Sequence, residues 1–318
     1  LIPYRGDSAL FIDPASLSMV VLGPAGKIER VMAIPRPNDR GLTLSGLLGT
    51  PGFDARGRLV YSSGAIAGMM IRWNQTPPPA DPETSGFLSA MLHPPDSAAI
   101  VRVDPATRVL DTVAAVRVSK TKNSFNTDAQ GIVRSIGLTT DLYPLVDDWA
   151  VCPDGSIAIV RGRDYHVDRL GVDGRWTSLP KMPFTWQHLN DDQKTALIDS
   201  GVKAEEKRLG GNTLSAASAT SVYAPYVVGR PALNDIPDYA PPFTRGAVRA
   251  DADGNLWIRT STMAHGQPVY DIVDRQGKLF DRVQLPSFRT IAGFGSGVVY
   301  MAVKDSAGTV HLERARMK

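Results

Sequence analysis

Cysteine is almost missing from this chain: Cys152 is the one copy in 318 residues, so no disulfide can form within it. That cysteine closes the apolar run Trp149-Ala150-Val151-Cys152 and reads as a buried strand residue, not a nucleophile. Long hydrophobic runs are lacking as well. No stretch approaches the ~18 consecutive apolar residues of a bilayer-crossing helix, so no membrane span is expected. Charge of a single sign is also absent. The 35 basic and 32 acidic residues are interspersed for a net +3, which leaves no basic stripe to neutralise a phosphate backbone and argues against nucleic acid as a partner. His93, His166, His188, His265 and His311 fall in separate segments without metal-ligand spacing, so neither a metal site nor any other cofactor is predicted from them. A Gly-x-Ser-x-Gly elbow is missing. Gly293-Phe294-Gly295-Ser296-Gly297 has the wrong spacing for one and reads as a loop connecting two repeats. The first residues lack the charged and apolar regions of a signal peptide, and the chain opens at Leu1. The expectation is that a leader has been removed or that sequence lies upstream.

Glycine and proline, by contrast, are plentiful, with 29 and 24 copies, and they punctuate a repeat. Its unit is a turn, Asp-x-x-Gly, followed at once by a strand-like run. It recurs as Asp54-Ala55-Arg56-Gly57, Asp251-Ala252-Asp253-Gly254, Asp274-Arg275-Gln276-Gly277 and Asp305-Ser306-Ala307-Gly308. Glycine supplies the positive φ of a tight hairpin, and the aspartate side chain satisfies free turn amides. The runs that follow, such as Arg58-Leu59-Val60-Tyr61, Ser156-Ile157-Ala158-Ile159-Val160, Asn255-Leu256-Trp257-Ile258 and Val298 to Val303, suit a pleated surface and are read as inner strands. Further runs close on proline, as in Arg175 to Pro180 and Arg282 to Pro286, where the missing amide donor suits a strand end or an outer edge.

Assembled, the runs give five strand groups, at about 1–36, 49–118, 136–181, 243–287 and 288–318. Each group reads as one blade of an all-β fold, a β-propeller forming a single domain over 1–318. The last group ends early and Leu1 to Ser8 look like an inner strand, so a sixth blade completed from upstream residues is expected. Two insertions interrupt the pattern. One, at about 74–97, carries Thr76-Pro77-Pro78-Pro79 and His93-Pro94-Pro95 and is expected to be an extended loop. The other, at about 181–242, holds Asn190-Asp191-Asp192-Gln193, which resembles a capping box opening a short helix from Lys194 towards Arg208. A Gly/Ser/Ala/Pro-rich loop with Tyr223, Tyr226 and Tyr239 follows it.

Several passages resemble a bacterial family of six-bladed β-propellers, broadly similar to NHL-repeat and TolB-like proteins. They are Asp147 to Gly155 with Arg161 to Tyr165, Gly254-Asn255-Leu256-Trp257-Ile258, and Tyr270 to Gly277. The likeness covers nearly the whole chain through short motifs. It implies a propeller exported to the periplasm or cell surface, and it implies no particular chemistry, because propellers host many unrelated functions. Gluconolactonase-like propellers hold a metal with a glutamate from an early inner strand. The first acidic residue here is Asp7.

Two groups of residues are candidates for a site. Asp147, Asp148, Arg161, Arg163, Asp164, Tyr165 and His166 form the densest polar cluster. They either line a channel mouth for a polar or anionic ligand or pair with each other at solvated strand ends. His166 and Asp168 share a strand face by period-two spacing. Trp73, Trp186, Tyr223 and Tyr226 sit on or beside the insertions, where aromatics either mark a contact surface or anchor the loops to the ring. Two functions are carried forward. The first is a non-enzymatic module that docks a protein partner through its loops. The alternative is a metal-dependent hydrolase or lyase with its site at the central channel, where a calcium ion held by Asp and Asn oxygens is the cofactor the fold allows. No small ligand is specified.

Overall fold

The repeated turn folds as its chemistry requires. A computed structural model describes residues 2–4, 7–13, 18–34, 49–63, 95–119, 122–129, 133–139, 141–211, 226–305 and 308–317. In it Asp54 Oδ1 accepts the backbone amides of Arg56 (3.0 Å) and Arg58 (2.9 Å), and Gly57 adopts a φ of 76° to bring its own amide onto the Asp54 carbonyl. Asp251 serves the amides of Asp253 and Asn255, and Asp274 those of Gln276 and Lys278, in the same way. Each such turn reverses the chain within five residues, so neighbouring strands pair in antiparallel register.

The described residues are mostly strand, arranged as a five-bladed β-propeller. The first blade is β1 (Ile2–Pro3), β2 (Ala9–Asp13), β3 (Ser18–Leu22) and β4 (Ile28–Ala33). The second is β5 (Gly52–Phe53), β6 (Leu59–Ser63), β7 (Ser97–Val103) and β8 (Leu110–Arg117). Two strands, β9 (Lys122–Thr127) and β10 (Val133–Thr139), then leave the ring. The third blade is β11 (Asp148–Val151), β12 (Ile157–Arg161), β13 (His166–Leu170) and β14 (Trp176–Ser178). After it come one long helix, α1 (Asp191–Gly211), and the strand β15 (Tyr226–Gly229). The fourth blade is β16 (Phe243–Ala250), β17 (Leu256–Ala264), β18 (Gln267–Val273) and β19 (Leu279–Gln284). The fifth has three described strands, β20 (Arg289–Gly295), β21 (Val298–Lys304) and β22 (Val310–Arg316).

Three expectations are corrected by this layout. The runs read as inner strands, β6, β12, β17 and β21, are second strands; β5, β11, β16 and β20 precede them, and β11 meets β5 and β16 of the adjoining blades at the hub. The third group does not begin at 136, because β10 belongs to a different sheet and the blade starts at Asp148. Gly293 to Gly297 is not a blade connection: Gly293 to Gly295 end an inner strand, and Gly297, at φ 63°, sits in the hairpin that follows.

Strand alternation builds the core between blades. Leu59 and Tyr61 face the first blade's Leu10, Met19 and Val21, while Val60, between them in sequence, faces Trp149, Ile157 and Ile159 of the third. Ala158, Val160 and Val167 then pack on Val248, Leu256 and Ile258 of the fourth blade, and its Trp257, Tyr270 and Ile272 pack on Ile291, Val299 and Met301 of the fifth. Each fully buried aliphatic side chain contributes about 1.5–3 kcal/mol, so these four seams hold the blades in order.

The expected helix is present and longer than predicted. Its capping box is reciprocal: Gln193 N donates to Asn190 Oδ1 (2.9 Å) and Asn190 N donates to Gln193 Oε1 (3.0 Å). What the sequence did not suggest is where α1 belongs. β9 and β10 pair antiparallel, and β15, almost 90 residues later, adds to β10 in parallel. Beside them Leu189, Ile198, Ile236 and Ala240 bury a small core with Leu142, Tyr143 and Val202. The connections before and after the third blade therefore join into one accessory lobe. No helix among the described residues is long and apolar enough to cross a membrane.

Candidate functional site

The two ends of the strands differ sharply in what they carry. In a four-stranded meander, the first and third turns share one end, and the second turn shares the other end with the connection to the next blade. The tight turns at Asp54–Arg58, Asp104–Val109, Cys152–Ser156, Gly171–Arg175, Asp251–Asn255 and Asp274–Lys278 all fall on the first end. The connections 34–51, 64–96, 118–147 and 179–242 all start and finish on the other. Among the described residues, one face of the ring is thus a plate of β-turns, and the long connections leave and rejoin the strands on the opposite face, where the accessory lobe also attaches.

Part of the predicted polar cluster comes together on that second face. Arg161, at the end of β12, donates from NH1 to Asp147 (2.9 Å) and to the carbonyl of Ala115 (3.1 Å), and from Nε to Asp168 (2.8 Å). Asp168 also takes hydrogen bonds from Ser178 (2.7 Å) and lies 3.2 Å from His166 Nε2. Burial works to raise the Asp168 pKa, but the Ser178 and Arg161 bonds outweigh it and hold the carboxylate low. Asp147 is engaged further by the amides of Arg117 and Gly162. The charges of Arg161, Asp147 and Asp168 are spent on one another, while among the described residues Nδ1 of His166 is buried without a hydrogen-bond partner. The group pins the second blade to the third and leaves no carboxylate turned outward.

The other cluster members point elsewhere. Asp148 is fully buried and accepts the amide of Val248 in the fourth blade (2.9 Å). Burial pushes its pKa up to about 7 against those backbone bonds. Beside it Thr50 donates its hydroxyl to the Val248 carbonyl (2.8 Å), and its backbone exchanges bonds with Trp149 and Val151. The inner ends of blades two, three and four are therefore tied to each other at the hub. Tyr165, held at a φ of 45°, donates to the buried Asp271 (2.7 Å), whose other oxygen takes Arg282 (2.8 Å). Burial first and the Asp271 charge second raise the Tyr165 pKa, so it stays a phenol. Arg163 and Asp164 are exposed, and Asp164 pairs with Lys181 at 3.5 Å. Cys152 is buried as expected, and burial raises its thiol pKa.

Of the aromatic candidates, Trp73 and Tyr223 lie outside the described residues, and Tyr226 lies on β15, where its backbone pairs with Ile136. Trp186 is 40% exposed and stands edge-on to Phe184, with ring centres 5.4 Å apart at 87°. Next to it His188 bridges to Tyr239, with rings 5.2 Å apart at 82°, and Tyr239 is 50% exposed. Phe184 and His188 were missed in the sequence. Their signal was the spacing of two along Phe184-Thr185-Trp186-Gln187-His188 after Pro183. Among the described residues, no group of three or more His, Cys, Asp or Glu is arranged to hold a metal ion.

No family model and no curated protein matches this chain. Among solved structures it is similar to virginiamycin B lyase from Staphylococcus aureus, with 9% identity over 100% of this chain and 84% of that one and a TM-score of 0.32. It is also similar to a gluconolactonase from Xanthomonas campestris (11%, 100% and 84%, TM-score 0.30) and to TolB from Acinetobacter baumannii (11%, 98% and 62%, TM-score 0.32). Likeness at this level carries no argument about chemistry, and the propeller assignment rests on the chain's own strand order.

Proposed function

We propose that this chain is a non-enzymatic scaffold that docks a protein partner on its insertion-bearing face. The observation that carries the reading is where the long connections attach: each starts and finishes on one face, which also bears the accessory lobe with Trp186 and Tyr239 exposed, whereas the described links on the opposite face are all tight turns. Binding residues concentrate on loops held by a rigid frame, and exposed aromatics dominate contact energies. The alternative, a metal-dependent hydrolase or lyase with a calcium ion at the axis, has weaker support. Asp148 gives its carboxylate to backbone amides, and Asp147 and Asp168 give theirs to Arg161. The site of action we assign to the periplasm or cell surface, on the family resemblance alone, and cell fractionation tests it.

A photo-crosslinking residue placed at Thr185, on the loop face, should give a discrete heavier adduct in the producing cells. The same residue at Val172, exposed on the turn face, should give none. Equal labelling from both positions, or none from Thr185, would remove the docking reading.

We also propose that a sixth blade stands between the fifth and first blades. The first blade presents Phe11 (44% exposed) and Val31 (59%) on the side away from the second, and the fifth presents Val310 (65%) and Leu312 (68%) on the side away from the fourth. The corresponding sides of the other blades are closed by the seams described above.

A further inference from the structure

On the turn face, the seam between the second and third blades ends in a cavity of about 80 Å³. Part of its wall is apolar, made by the buried Ile157 and Leu170 of the third blade. The second blade's side is cationic. Alternate residues of a strand share a face, and Val60, which pairs with Arg102, faces the third blade. Arg58 leads into β6 two residues before Val60, so the pairing makes Arg58 and Arg102 diagonal neighbours on that same face, and both line the cavity. A third arginine, Arg56, lines it from the turn, exposed on the rim with Val172 and Gly174.

The carboxylates at this end of the seam are engaged. Asp54, the acidic residue in the lining, accepts the amides of Arg56 (3.0 Å) and Arg58 (2.9 Å) on Oδ1. Its Oδ2 accepts Nε and NH2 of Arg58, each at 2.8 Å. Arg102 meets Asp111 through Nε and NH2, each at 2.7 Å. Neither pair runs through NH1 of its arginine, which carries two of the five guanidinium N–H groups, and Arg56 is tied to Asp54 by its backbone, not its side chain. Behind the lining, Asp104 accepts the amides of Ala106 and Thr107, Asp154 the amide and hydroxyl of Ser156, and Asp173 the amide of Arg175. Arg275 and Arg175 stand 3.9 Å from Asp154 and Asp173. The lining therefore carries three positive charges against one negative, and its donors outnumber its acceptors. A cation would meet repulsion there, and an apolar molecule would cover guanidinium groups without giving them acceptors. The volume is that of a few water molecules, too little for a peptide or a nucleoside. An oxyanion answers each condition, since guanidinium N–H groups match phosphate and carboxylate oxygens and a tetrahedral ion offers acceptors in several directions at once.

We propose that Arg56, Arg58 and Arg102 form a binding site for a small tetrahedral oxyanion, of phosphate or sulfate size, at the turn-face end of this seam. It lies on the face opposite the docking loops, so its failure would leave the docking function standing, and the reverse. The test is thermal unfolding of the whole 318-residue protein in rising sodium phosphate, against sodium chloride of matched ionic strength and pH, with calorimetric titration giving the Kd. A ligand that binds only the folded seam raises the melting temperature along a saturation curve, whereas general exclusion of phosphate from protein surface raises it without saturating. The expected result is a saturable rise. Arg56→Gln should weaken the calorimetric Kd about tenfold or more, the loss expected for one hydrogen bond to a charged group. Arg314→Gln, an exposed position on the fifth blade, should leave the Kd unchanged. Both substitutions are at exposed positions, so unchanged melting in chloride will show that the variants fold. Glycerol 2-phosphate separates two sources of the same chemistry: competition with phosphate means that a larger molecule can present the group at the rim, and no competition means a free ion. Either outcome supports the site. A rise that does not saturate, no calorimetric binding by folded protein, or equal Kd values for Arg56→Gln and Arg314→Gln would overturn it.

Discussion

A carboxyl group that titrates near neutrality inside a protein costs stability in one pH window. Asp148 would ionise near the ordinary carboxylate range in the unfolded chain, but burial lifts its folded pKa to about 7. Below about pH 4 both states hold the proton and folding is unpenalised. As pH rises from about 4 to 7 the unfolded chain gives up a proton that the folded protein retains, so stability falls, and above about 7 the penalty is constant. A gap of roughly three pKa units corresponds to something on the order of 4 kcal/mol at that plateau. Asn keeps the oxygen that accepts the Val248 amide and carries no charge. Asp148→Asn is therefore expected to flatten melting temperature against pH between 4 and 8 and to melt higher than the native protein at pH 8. An unchanged slope in the thermal scans would show that the group does not titrate in this way. The group's surroundings also bear on it: Arg249 eases ionisation, while the Val248 and Ala247 amides hold the ionised form.

Among the elements, α1 shows how local and tertiary determinants divide. Its start is written in four residues, Asn190 to Gln193, whose two reciprocal bonds satisfy orphan amides of the first turn. Its course is set by packing. Gly201 lies mid-helix, where glycine costs about 1 kcal/mol against alanine, yet a Cβ there would come within 2.6 Å of Leu142. The helix rests that closely on the segment after β10. Asn190→Ala should lose about 1 kcal/mol locally. Hydrogen exchange should then quicken for amides in α1 and the Leu189, Ile198 and Ile236 core while those of β12 and β17 keep their protection. Parallel loss of protection in the blades would mean that the lobe and ring open as one unit.

For the whole molecule, the two end faces decide whether the wheel closes. If a sixth sheet packs there, Phe11→Arg and Leu312→Arg bury an unpaired charge, and each should cost about 2–4 kcal/mol in chemical denaturation of the intact protein. Val172→Arg, on the turn face, should fall within about 0.5 kcal/mol of the native value. Neutral behaviour at all three sites would leave the wheel open at five blades. Much of this architecture was legible beforehand, since an Asp-x-x-Gly turn and the alternation in Leu59-Val60-Tyr61 act within five residues and need no distant partner. The strand-and-turn repeat, the buried state of Cys152, the capping of α1 and the His166–Asp168 pair are all of that kind. Which strand lies innermost, the parallel joining of β10 to β15, and the separation of Asp148 from its neighbour Asp147 are of another kind. So is the approach of Tyr165 to Asp271, 106 residues away. The sequence alone determined what each short segment prefers to be, because turn bonds and strand faces are local. Only the tertiary structure decided which segments meet, because a contact across a hundred residues leaves no period and no motif in the chain that makes it.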